Sequence, residues 1–410
     1  MRPGPGLIAL FCLAQVLSLA GFGSFPALLP GFLDLWQLSS TEAGWINGIY
    51  FGAYMVAVPV LASLTDRVPA RRIYLLSALV TALASLGFAL LAGGFWTALV
   101  FRALAGAGLA GTYMPGLKAL NDRMPEERRS RAVAFYTATF SIGVALSFLF
   151  AGQVEAWLDW RWAFALAGIG PLLAIALLLA LAGPPAHAAA KRPEGALLDF
   201  RPVLRNRRAL AYVLAYGAHS WELFALRSWL VAFLVFAQGL SPEGSLGGDW
   251  SPTAIATLVI LLGLPASVLG NESAERFGRR RVVSAIMLAS AAVGCLFGFS
   301  SGLPVVLIVV IALLYSLTVS SDSASITAGA IGAASPERQG ATMAVHSVIG
   351  FGGAFLGPLV FGIVLDLGGG QESALAWGLA FVSSGLAVAS GPLALALLDR
   401  DREAKTTEAP

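Results

Sequence analysis

The sequence predicts an all-α membrane protein, with twelve transmembrane helices in two pseudo-symmetric six-helix bundles. Three observations predict it. The 410 residues are 57% hydrophobic and only 12% charged, with a mean hydropathy of +0.78, whereas a soluble globular domain carries about 25% charged residues. Apolar runs long enough to cross a bilayer recur along the whole chain. The basic residues fall in the short loops between those runs.

A membrane helix needs about 20 mostly apolar residues. Twelve runs meet that length: 7–30, 43–65, 73–93, 95–117, 131–156, 161–183, 209–238, 252–275, 281–300, 303–331, 339–366 and 373–399. The first apolar stretch, Leu7 to Leu29, is too long for the core of a secretory signal peptide and reads as a span. Pro26, Pro59, Pro115, Pro265 and Pro358 lie inside runs, where neighbouring helices re-satisfy the freed backbone groups.

With both termini placed in the cytoplasm, the inner loops and tails hold 23 of the 26 basic residues, the distribution that sets membrane orientation. Arg102 and Arg227 lie inside spans and Arg161 in a short outer loop. An odd number of spans would scramble this alternation, so charge supports the count of twelve. The net charge of +3 therefore points to topology and not to a nucleic-acid partner. Lysine is limited to Lys118, Lys191 and Lys405, and Ala, Gly and Leu abound, as in a high-GC bacterial genome; a bacterial inner membrane is the expected location. Cys12 and Cys295 form no metal or disulfide spacing. No nucleophile elbow or phosphate-cradling loop occurs in a suitable context, so neither an enzyme, a cofactor nor a metal is expected.

The chain divides into a six-helix bundle over 1–183, a cytoplasmic linker over 184–208, a second bundle over 209–399 and a tail over 400–410. The linker opens with Gly183-Pro184-Pro185 and carries six basic residues, a face suited to anionic membrane lipids. The halves repeat weakly. Asp66-Arg67 with clustered Arg71 and Arg72 after span two corresponds to Glu275-Arg276 with Arg279, Arg280 and Arg281 after span eight, the acids 209 positions apart. Ile142-Gly143 in span five and Ile349-Gly350 in span eleven are 207 apart. Duplicated halves are a transporter architecture.

These motifs resemble those of the major facilitator superfamily. That family's loop after span two reads Gly-x-Leu-Ala-Asp-Arg-x-Gly-Arg-Arg; Leu64, Asp66, Arg67 and Arg71 match it, with Ala62 and Pro69 in place of the glycines and Ala70 at one basic position. The second copy keeps Glu275, Arg276, Gly278, Arg279 and Arg280, with Asn271 for the first glycine. Arg102 with Gly106 and Gly108 resembles the span-four motif, Trp160 to Phe164 the entry to span six, and Gly353, Gly357 and Pro358 the family's Gly-Pro motif. The resemblance covers the whole chain and implies a secondary transporter. His219 to Phe224 and the polar tenth span are also similar to the nitrate–nitrite and cyanate porter branch, although its nitrate members carry an Arg in span one, where this chain has no charge.

An ionisable side chain at mid-membrane costs about 2.5–3.5 kcal/mol on insertion scales and faces a cavity or a partner. Asp322 lies in a run of hydroxyls, sharing one face with Thr318 and Ser325. It is a proton-coupling carboxylate, a substrate contact or a carboxyl that joins two helices. His219 and Glu222, three apart in span seven, share a face and could exchange a proton, Glu222 as a proton-coupling candidate and His219 as a substrate-binding one. Arg227 is about 140° from Glu222 on a helix of 3.6 residues per turn, leaving it free to hold an anion or to snorkel; Gly217 offers a loosening point. Arg102 matches the family's span-four position, for which the resemblance implies proton coupling or a hold on span one; a plain structural Arg is the alternative. Asn47, Tyr50 and Tyr54 line one face of span two as substrate-site candidates, joined by Tyr113, Tyr136 and His346, or else they pack helices. Asp66, Arg67, Arg71, Glu275, Arg276 and Arg279 are gating candidates, because a carboxylate there can cap a helix N-terminus.

The expected function is movement of a small solute, an organic or inorganic anion, by alternating access with proton coupling, in a monomer surrounded by lipid. A proton-driven exporter of the same fold and a non-transporting receptor are the alternatives. The sequence leaves substrate, direction and coupling ion open.

Overall fold

The computed structural model describes residues 4–181, 200–240 and 251–399. Much of the expected linker, including Lys191 and Arg192, and the tail from 400 onward lie outside them, as does Arg2. The described residues form helices and no strand. In order these are α1 (Pro5–Ser18), α2 (Ser24–Ala27), α3 (Leu29–Trp36), α4 (Ser40–Leu64), α5 (Ala70–Leu91), α6 (Phe95–Asn121), α7 (Glu126–Trp157) and α8 (Trp160–Leu181). From the last part of the expected linker onward come α9 (Arg201–Arg205), α10 (Arg207–Leu240), α11 (Pro252–Phe277), α12 (Arg279–Gly298), α13 (Val305–Ser321), α14 (Ser323–Ala333), α15 (Gln339–Leu367) and α16 (Ala374–Leu398).

Eleven stretches among the described residues are long and apolar enough to cross a membrane, and α1 is a shorter apolar helix. Together they give the twelve-helix architecture. The first span departs from expectation. The run 7–30 is not one helix: α1 stops at Ser18, and two short helices follow. Gly21 and Gly23 weaken the helix there, and Pro26 and Pro30 bring no backbone N–H to rebuild its ladder. The freed groups find side chains, as lipid demands. Gly23 N–H donates to Ser147 Oγ of α7 at 2.9 Å, and Phe22 C=O accepts from Arg102 Nη1 of α6 at 3.5 Å.

The tenth span runs from Val305 to Ala333 with one irregular turn at Asp322, where α13 gives way to α14 and the backbone stays right-handed helical. Hydroxyls on this stretch turn back onto their own backbone, Thr318 onto Leu314 and Tyr315 carbonyls and Ser321 onto Leu317, which loosens helical geometry.

The chain forms two compact units. One comprises the described residues of Met1–Leu38, Trp45–Gly195 and Trp250–Leu261, the other those of Ser39–Gly44, Ala196–Asp249 and Leu262–Pro410. The core of the first centres on Phe11, Ala14, Tyr74, Ala78, Tyr136 and Leu178. That of the second centres on Tyr212, Ala215, Met287, Ile326 and Val388. Small residues set the helix spacing. A Cβ on Gly106 would run into the carbonyl of Tyr50, bringing α6 onto the backbone of α4. In the second unit Gly353 faces Gly217 C=O and Gly357 faces Trp221 C=O, so α15 and α10 pack backbone to backbone. Gly217 is therefore a close-packing position inside an unbroken α10, not the loosening point expected from sequence.

Candidate functional site

The second unit buries a chain of ionisable and hydroxyl groups contributed by five helices. His219 and Glu222 come from α10, Ser290 from α12, Tyr315 from α13, Thr327 from α14 and His346 from α15, with Asp322 at the α13–α14 junction. His219, Glu222 and Asp322 are each about 1% exposed. His219 Nδ1 approaches Asp322 Oδ1 to 2.7 Å, without the alignment of a hydrogen bond. Glu222 accepts from both neighbours, Ser290 Oγ to Oε2 at 2.9 Å and Tyr315 Oη to Oε1 at 3.0 Å. A buried carboxyl so held is satisfied at both oxygens.

This corrects the expected His219–Glu222 exchange pair. Residues three apart on a helix differ by about 60°, enough to send His219 to the α13–α14 junction and Glu222 to α12 and α13. The Asp322 stripe divides likewise: Thr318 bonds its own helix, and Ser325 Oγ reaches Gly270 C=O and Asn271 of α11 at 3.5 and 3.4 Å. His346 stacks on Tyr216 at 3.8 Å, and Tyr216 stacks on His219 at 5.6 Å. His346 Nε2 lies 3.3 Å from Thr327 Oγ1.

Arg227 lies farther along α10, half-buried, its guanidinium over the Phe224 ring at 5.5 Å. Among the described residues it makes no ion pair. The uninterrupted α10 keeps it apart from Glu222, as the helical angle requires.

In the first unit Arg102 is 3% exposed and has no carboxylate partner among the described residues. Its guanidinium lies over Tyr50 at 4.3 Å, besides the bond to Phe22 C=O. That bond reaches the chain between α1 and α2 in the first span. Asn47, Tyr50 and Tyr54 are all buried on α4. Tyr113 is half-buried, stacked on Tyr136 and tilted against Phe140. Tyr136 is fully buried and donates to Gln15 Oε1 at 2.6 Å and Thr112 C=O at 3.1 Å, so it joins helices of the core.

The gating candidates make local contacts. Asp66 is exposed after α4 and caps no helix among the described residues; Arg67 is exposed as well. Arg71 Nη2 donates to Leu178 C=O of α8 at 2.6 Å. Its repeat equivalent, Arg280 of α12, donates to Asp399 C=O at the end of α16 at 3.4 Å. Glu275 pairs with Arg279 at 3.7 Å, and Arg276 lies over Phe277. A carboxylate does cap a helix, but it is Asp366 of α15: Oδ1 accepts from Ser40 N–H at 2.9 Å and Oδ2 from Thr41 N–H at 2.7 Å, with the Thr41 hydroxyl at 2.6 Å. Ser290, Tyr216 and Asp366 escaped the sequence reading. Tyr315 and Thr327 lay in the polar string around Asp322, the one signal that marked any of these partners.

The family model for the Major Facilitator Superfamily matches residues 11–249 and 242–410. The chain belongs to the major facilitator superfamily. Among members of this superfamily, human protein spinster homolog 1 is 26% identical over 290 residues, 67% of this chain and 54% of the human protein. The probable sphingolipid transporter spinster homolog 1 of Arabidopsis thaliana is 25% identical over 154 residues, 38% of this chain and 31% of that protein. The chain spans about half the length of the human relative. In fold it is similar to a bacterial homologue of the human lysosomal transporter spinster, inward-facing and occupied, with a TM-score of 0.79 at 17% identity over 96% of both chains. It is also similar to the nucleoside transporter NupG, with a TM-score of 0.72 at 15% identity over 96% of this chain and 99% of that one. The superfamily fold is that of a multi-pass membrane transporter.

Proposed function

We propose that this transporter couples solute movement to protons through the buried cluster of the second unit, and that its solute is a small organic or inorganic anion. The carrying observation is the approach of His219 to Asp322 in the closed interior of the second unit, beside a satisfied Glu222. Protonation changes what His219 and Asp322 offer each other, and it biases alternating access to the extent that the two states hold the proton differently. Arg227, which has no ion pair among the described residues, supplies the planar fork that suits carboxylate-like groups.

A second reading is an amphipathic, lipid-like solute. The relative named as a probable sphingolipid transporter favours it. Proteoliposomes with an internal pH dye separate the two. Under the anion reading, small carboxylates or inorganic anions drive acidification and Arg227→Ala abolishes it. Acidification driven by a sphingoid amphiphile alone supports the second reading, and acidification driven only by lipophilic cations overturns both in favour of an exporter.

A further inference from the structure

A groove of about 480 Å³ runs between α1 and α7 in the first unit. Its walls are apolar along most of their length, formed by Ile8, Ala9 and Cys12 on one side and Phe135 and Thr139 on the other, and Arg128 and Arg131 stand at one end. On α7 the lining residues recur at helical spacing, while Tyr136 points the other way into the unit's core with Gln15. The groove therefore opens away from the core. Ala9, Arg128, Arg131 and Phe135 are exposed.

Among the described residues the two arginines are not committed elsewhere. Neither forms an ion pair among the described residues; Arg131 lies over the Phe135 ring at 5.6 Å. Their neighbour Arg129 is different, its Nε donating to Met124 C=O at 3.3 Å. Glu126 and Glu127 in the first turn of α7 are exposed and do not line the groove.

We propose that this groove is a binding site for an anionic phospholipid of the cytoplasmic leaflet. Its phosphate sits between Arg128 and Arg131, and an acyl chain lies along Ala9, Cys12, Phe135 and Thr139. The positive-inside pattern assigns the arginine end to the cytoplasmic side. From Arg131 to Thr139 the helix rises about 12 Å, most of the depth of one leaflet in a hydrocarbon core of about 30 Å. A cationic end at headgroup level and an apolar slot beneath it fit the charge and the shape of such a lipid, and only its headgroup carries the anion.

The test is native mass spectrometry of the full chain, titrated separately with phosphatidylglycerol and phosphatidylcholine, and with inorganic phosphate as competitor. Phosphatidylglycerol should bind preferentially. Arg128→Gln/Arg131→Gln should weaken it about thirtyfold, at about 1 kcal/mol for each basic residue near the surface. Ala9→Trp, which fills the slot and leaves the charges in place, should weaken it too. Arg207→Gln/Arg281→Gln removes the same charge elsewhere and should leave binding unchanged. Equal retention of phosphatidylcholine, full competition by inorganic phosphate, or an effect of the control pair equal to that of the groove pair overturns the proposal. So does undiminished phosphatidylglycerol binding in Ala9→Trp.

Discussion

His219 Nδ1 lies 2.7 Å from Asp322 Oδ1 where α13 gives way to α14, both side chains closed off from solvent. Removing one partner of a buried polar pair leaves the other unsatisfied, at a cost of about 1–3 kcal/mol. Asp322→Ala should therefore lower thermal stability. Asp322→Asn keeps the shape and an acceptor and should fold, yet lose proton-coupled transport. In a double-mutant cycle with His219→Gln the two losses should not add. Additive losses would mean that the residues act separately.

Glu222 gives a contrast between charge and hydrogen bonding. Glu222→Gln still offers a carbonyl to Ser290 or Tyr315, and the other hydroxyl can accept from the amide. It should retain stability within about 1 kcal/mol while reducing coupling. Glu222→Leu orphans both hydroxyls and should cost about 1–3 kcal/mol for each. Thermal melts alongside dye-detected proton flux would distinguish the two variants.

Asp366 holds the first turn of α4 through two backbone amides. Asp366→Ala removes a cap worth about 0.5–2 kcal/mol. Hydrogen exchange at Ser40 and Thr41 should then accelerate by up to about thirtyfold, with the core amides of α5 unaffected. Unchanged exchange would show that α4 starts firmly without the cap.

Backbone contact between α10 and α15 at Gly353 leaves no room for a methyl group. Gly353→Leu should destabilise by about 1–3 kcal/mol or more through overpacking. Gly340, with open space around it, should accept Ala with little change. Parallel melting curves for the two variants test this.

The number of spans was legible because lipid permits few alternatives for an apolar run of this length. The break after Ser18 was hidden, since Gly21, Gly23 and Pro26 are common inside membrane helices and carry weight only once Ser147 and Arg102 reach the freed groups. The site was half legible. Asp322, His219 and Glu222 stand out as charges in an apolar setting, but one helix's spacing could not say that His219 turns to Asp322 and Glu222 to Ser290. Asp366 was missed for a simpler reason. A carboxylate at the end of a span looks like an ordinary surface charge until the helix it caps is placed beside it.

Arg71 and Arg280 occupy the same place in the repeat and make the same kind of bond, each to a carbonyl at the end of the sixth helix of its own half. Such a rivet closes within a single six-helix polypeptide and asks nothing of a second one. Each half carries the fastening whole.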